Sequence, residues 1–155
     1  MSGNFEARLS ELGLTLPEAA APIASYVPVV EAGGLAHISG QLPFDNGEVV
    51  LGRCNSDADV EQGQKAAKLC GLMVIAQLQK ALGSLDRVER IVKLGVFVNS
   101  SADFTAQPQV ANGASDLMEQ VFGDAGKHAR AAVGVAALPR GAMVEVDAIV
   151  AVRPA

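Results

Sequence analysis

The chain has 155 residues, 12 Lys+Arg against 17 Asp+Glu, and a formal net charge of −5. Half of it is apolar but only 4% is aromatic, with one Tyr, five Phe and no Trp. Such a chain can bury enough surface to fold, which excludes intrinsic disorder, and its acidic balance argues against a binder that neutralises nucleic-acid phosphates. The 26 Ala and 16 Gly describe a core of small and branched side chains in a single domain over residues 1–155.

Residues 1–20 read as an N-terminal helix and connector. Phe5, Leu9 and Leu12 recur at helical spacing and Gly13 ends the run, after which Pro17 and Pro22 keep Leu16 to Ser25 extended. Tyr26–Glu31 and Leu35–Ser39 read as a hairpin around Ala32-Gly33-Gly34. The turn-rich span Pro43–Asn55 has room for one short strand at Glu48–Leu51. A long helix begins near Ser56, with Ala67, Cys70, Val74, Leu78 and Ala81 on one face and Gly83 at its end. Val88–Asn99 is a strand, Val110–Phe122 a second amphipathic helix, and Ala129–Leu138 and Val144–Val152 are closing strands around Pro139-Arg140-Gly141. The order ββ(β)αβαββ predicts an α+β layer, with both helices on one side of one sheet. The other sheet face needs a cover, and a partner subunit is the simplest one.

Cys54 and Cys70 stand 16 apart in no redox or metal spacing and read as reduced structural thiols. No apolar run reaches the ~18 residues of a membrane span, and the polar start MSGNFEARLSEL does not resemble a signal peptide, so a cytoplasmic protein is expected. His37 and His128 have no neighbouring ligand at metal spacing, and no phosphate loop or nucleophile elbow is present.

The last two strands carry the chemistry. A period of two puts Arg130, Ala132 and Gly134 on one face of the first, and Glu145, Asp147 and Ile149 on one face of the second. If these strands pair, a guanidinium and a carboxylate border one pocket, where Arg130 suits bidentate carboxylate recognition. The alternative is a solvated sheet face with a structural ion pair. His128 shares the face of Arg130 or is a surface residue. Gly40 marks either a close backbone approach or a strand terminus, and Tyr26 is either a packing or a pocket residue.

Ile23-Ala24-Ser25-Tyr26-Val27, Ile38-Ser39-Gly40-Gln41-Leu42-Pro43, Val96-Phe97-Val98, Ala129-Arg130 and Leu138-Pro139 through Val144-Glu145-Val146 together resemble the RidA/YjgF family. Its members are also labelled endoribonuclease L-PSP or translation inhibitor, and the resemblance runs from about residue 20 to 153. It implies a chorismate-mutase-like α+β fold, one mixed sheet with two helices packed on one face. It also implies homotrimers in which the sheets form a barrel with clefts between subunits. The implied activity is hydrolysis of enamines and imines such as 2-aminoacrylate to 2-keto acids and ammonia, without metal or organic cofactor, as in 2-iminobutanoate/2-iminopropanoate deaminases.

By motif match, Arg130 corresponds to the clamp on the substrate carboxylate and Glu145 to the residue that positions or activates water. Tyr26, Ser39 and Gly40 correspond to cleft-lining residues, Ala132 to a ligand-contacting backbone N–H, and Asn112 to a family asparagine; His128 joins them as the neighbour of Arg130. This chain departs from the family in four places: Ala132 replaces a common Cys, Gly134 replaces a glutamate, Lys127-His128 replaces a usual Pro, and extra residues occur around Gln107-Pro108-Gln109. These mark a divergent subgroup, whose physiological imine the sequence does not name. The other readings are a non-catalytic module that binds a small carboxylate and, ranked lower, an endoribonuclease. Acidic charge, two His and few aromatics give RNA little to grip.

Overall fold

Asn4 opens the chain's first helix by accepting a hydrogen bond from the Ala7 N–H at 3.0 Å. That helix, α1 (Phe5–Glu11), ends as Gly13 takes a φ of +69°, and the computed structural model describes residues 4–22 and 24–155. Ile23, the first residue of one family-like fragment, lies outside the described residues. Phe5 anchors α1 edge-on against Phe122, with ring centroids 4.8 Å apart.

The hairpin forms as expected but starts later: β1 is Val29–Ala32 and β2 is Leu35–Gln41. Tyr26–Pro28 precede the first strand instead of belonging to it. Phe44–Asp45 (β3) and Glu48–Val49 (β4) make a small separate hairpin. Then come α2 (Val60–Leu82), β5 (Val88–Asn99), α3 (Gln107–Phe122), β6 (Ala129–Val135) and β7 (Val144–Val152). The extra residues around Pro108 are the first turn of α3, where proline's missing N–H removes no hydrogen bond.

The five-stranded sheet has the order β1-β2-β7-β5-β6, antiparallel except for the β5–β6 pair. The closing strands therefore do not form a hairpin with each other. β5 lies between them, and the Pro139–Gly141 turn, with Arg140 and Gly141 at φ +60° and +74°, carries the chain across it.

Both long helices cover the same face. Ala36, Ile38, Leu94, Val96, Val98, Val144, Val146 and Val150 point into that layer and are buried. The helices approach closely because α3 has glycine where bulk is excluded: a Cβ on Gly113 would run into the Gln64 backbone carbonyl. The other face carries His37, Lys93, Phe97, Glu145, Asp147 and Ile149, and Val30 and Val133 there are 49% and 46% exposed. A groove of about 410 Å³ runs along it.

β6 is the free edge on one side. The Ser100 N–H donates to the Val135 carbonyl, so the odd-numbered residues of β6 face β5. Strand alternation then turns the N–H and C=O of Arg130, Ala132 and Gly134 outward along the edge.

Candidate active site

The residues singled out in the sequence gather in two groups, one on each face of the sheet. On the helix-covered face, at the β6 edge, Arg130 stands level with the buried Leu94. Its Nη1 donates to Asn112 Oδ1 at 2.7 Å and to Ser115 Oγ at 3.1 Å. Both acceptors are neutral, and among the described residues no carboxylate pairs with this guanidinium. A half-buried cation held by neutral oxygens keeps its full charge available to an anion.

His128 belongs to the same group, but both of its ring nitrogens are engaged. Nε2 lies 2.9 Å from Ser115 Oγ, and Nδ1 lies 2.6 Å from the Gly126 carbonyl oxygen. Ala132 follows two residues along the edge with its N–H pointing outward, as a ligand-contacting backbone amide requires. A shallow cavity of about 250 Å³ lies against Ser115, His128 and Arg130.

On the open face, Glu145 sits opposite Phe97, and a Cβ added to Gly40 would lie 2.8 Å from its Cδ. Glycine at position 40 is what lets the carboxylate lie over the β2 backbone. Burial pushes the Glu145 carboxyl above its ordinary value, and the neighbouring Asp147 carboxylate adds to the shift. Asp147 is raised as well, first by burial, while the Gly95 N–H and Lys93 hold it back. A carboxyl raised in this way titrates nearer neutrality, as an acid–base group needs.

Ser39 and Tyr26 complete this second group. The Ser39 hydroxyl donates to the Val27 carbonyl at 2.8 Å, tying the segment after Tyr26 onto β2. The register of β2 shifts between Ile38 and Gln41, and the buried Gln41 amide donates to the Ser39 carbonyl across this bulge at 2.9 Å. Gln77 of α2 then donates to Gln41 and to the Ala20 carbonyl, clamping bulge and connector together. Tyr26 is 46% exposed and lines a small cavity beside Gly40.

The structure thus brings Arg130, Asn112 and His128 together, with Ala132 beside them, and separately Glu145, Gly40, Ser39 and Tyr26. It does not join the two groups within one chain. Ser115 and the Gln41–Gln77 pair were not singled out in the sequence. Ser115 stands three residues after Asn112, on the same helix face, and that spacing is the signal that finds it.

Among the described residues no three His, Cys, Asp or Glu side chains cluster as metal ligands, and no helix is long and apolar enough to cross a membrane. Both cysteines are buried free thiols, with Cys54 pushed up to about 11 by burial and Asp59.

A family model described as "YjgF/chorismate_mutase-like, putative endoribonuclease" matches residues 6–150. Protein TCP17 of Trypanosoma cruzi is 56% identical over 151 residues, covering 96% of this chain and 94% of that protein. The crystal structure of protein Atu1372 from Agrobacterium tumefaciens, of unknown function, superposes with a TM-score of 0.88 at 46% identity, covering 99% of this chain and 96% of that one. A 2-iminobutanoate/2-iminopropanoate deaminase of Capra hircus is 32% identical over 143 residues, 91% of this chain and 90% of that protein.

Proposed function

The chain belongs to the YjgF/RidA family, and from that premise we propose that it hydrolyses small carboxylate-bearing enamines and imines to 2-keto acids and ammonia. The observation that carries the proposal is Arg130: a guanidinium with no carboxylate partner among the described residues, fixed through Nη1. The raised Glu145 carboxyl supplies the other chemical need, and a relative 32% identical is named as an imine deaminase.

The two groups meet when copies of the chain associate. The outward backbone of β6 and the half-exposed valines of the open sheet face are surfaces that association covers. The arrangement we propose is a homotrimer whose sheets close into a barrel, with Arg130 of one copy facing Glu145 of the next.

The reaction follows from the residues. Arg130 binds the substrate carboxylate and orients the adjacent imine carbon. Glu145, as carboxylate, takes a proton from water while the oxygen bonds to that carbon and the C=N electron pair moves to nitrogen. The proton passes to nitrogen, giving a carbinolamine. The hydroxyl then gives its proton to Glu145, which passes a proton to the amino nitrogen, and the C–N bond breaks as the carbonyl forms, so that nitrogen leaves as ammonia. An enamine enters the same path after protonation at carbon. The outward Ala132 N–H orients the substrate, and no step needs a metal or organic cofactor.

A dehydratase that releases 2-aminoacrylate in the assay provides the test. Added protein should accelerate 2-keto acid formation over buffer, and Arg130→Ala should remove on the order of 2–4 kcal/mol of transition-state stabilisation. An undiminished rate in Arg130→Ala overturns the proposal. Carboxylate binding without turnover would select the non-catalytic module instead.

A further inference from the structure

We propose that Ser115 and His128 are positioning residues, which hold the Arg130 guanidinium so that its Nε–Nη2 edge stays free to take a carboxylate side-on. The inference rests on the clamp role given to Arg130 and names what makes that clamp specific.

The hydrogen bonds run in one direction. The Gly126 carbonyl can only accept, so Nδ1 of His128 donates to it, and among the described residues Nε2 is the one acceptor within reach of the Ser115 hydroxyl proton. The Ser115 hydroxyl therefore donates to Nε2, leaving its oxygen lone pairs toward Arg130. Nη1 has two protons, one used on Ser115 Oγ and the other on Asn112 Oδ1. Among the described residues neither Nε nor Nη2 has a hydrogen-bond partner. Those two N–H groups lie parallel along one edge of the planar fork, at the spacing of two carboxylate oxygens.

Asn112 and Ser115 are three residues apart on α3, so the helix sets their separation. His128 lies two residues before Arg130, where the short turn after α3 enters β6, and the buried Gly126 fixes the ring. Without His128 the Ser115 hydroxyl is free to rotate and can present its proton to Nη1. Without Ser115 one Nη1 proton lacks an acceptor and the fork can turn. Ser115 stands on the Nη1 side, away from the free edge, so its hydroxyl orients the guanidinium and does not reach the substrate.

The probe is 2-oxobutanoate, an unreactive 2-keto acid, titrated calorimetrically, alongside steady-state deamination by the same proteins. Ser115→Ala should raise both the Kd and the KM about five- to thirty-fold, with kcat within about two-fold of wild type. Ser115→Thr, which keeps the hydroxyl, should restore both, and His128→Ala should weaken binding about three- to ten-fold. The Arg130 Nε–H NMR signal should be sharp in the wild type and broadened in Ser115→Ala. A wild-type Kd and KM in Ser115→Ala and His128→Ala, with Arg130→Ala unable to bind, would overturn the positioning role and leave the clamp standing. Wild-type binding in Arg130→Ala would overturn both. If Ser115→Ala does not fold, His128→Ala and Ser115→Thr decide by the same two measurements.

Discussion

Arg130 and Glu145 stand on opposite faces of one sheet, with β5 between their strands. Arg130 is level with Leu94 under the helices, and Glu145 is level with Phe97 on the open side. Neither side chain can turn through a hydrogen-bonded sheet to meet the other, so a site that uses both draws them from two copies of the chain.

Subunit mixing tests this directly. Arg130→Ala and Glu145→Gln copies should each be inactive alone. When unfolded together and refolded, they should regain up to about a quarter of the wild-type rate, because random assembly pairs an intact arginine with an intact glutamate in that share of sites. No recovery would place both residues in one copy's site.

Gly40→Ala puts a methyl where the Glu145 carboxylate lies, 2.8 Å from its Cδ. The carboxylate ends a flexible side chain and can swing aside, so we expect stability in denaturant titration to change little while kcat falls about ten-fold or more. An unchanged kcat would show that Glu145 does not need its place over the β2 backbone.

Glu145 also gives stability a pH dependence of definite sign. Its carboxyl is raised in the folded state by burial and by Asp147, so the folded protein holds that proton more tightly than the unfolded chain. The associated stability is complete below the ordinary value of 4.5 and is lost as pH rises through the raised value. Glu145→Gln should therefore raise Tm at neutral pH, a gap that closes on acidification below the ordinary carboxylate range. Thermal scans across pH check it, and a lower Tm for the variant at neutral pH would contradict it.

Gly113→Ala reverses the usual helix rule. Alanine in a helix interior normally gains about 1 kcal/mol over glycine, but here its Cβ meets the Gln64 backbone. The variant should lose on the order of 2–4 kcal/mol, measured by urea unfolding, as α2 and α3 are forced apart.

The thiols should be inert in the native state. Cys54 is pushed up to about 11, and burial raises Cys70 well above its ordinary value, with Glu145 adding to it. An aromatic disulfide reagent at neutral pH should label neither until denaturant is added.

Local chemistry along the chain specified most of the elements. Alternation gives β5 its bounds of Val88–Asn99, and the apolar stripe with Gly83 gives α2 its extent. Motif spacing marked Arg130, Glu145, Gly40, Ser39 and Tyr26. Strand pairing was not legible, because alternation says which residues share a face of one strand but not which strand lies beside it. Adjacency in sequence suggested a β6–β7 hairpin, whereas the parallel β5–β6 pairing came from where α3 returns the chain.

That pairing, decided only by the tertiary structure, has the larger consequence. It puts β5 between the guanidinium and the carboxylate and leaves β6 as a free edge. It also brings α3 over Arg130, so that Ser115 and His128, thirteen residues apart, meet at 2.9 Å. A sequence period is a property of one element. The direction in which a cation's free edge points depends on two elements and the turn between them.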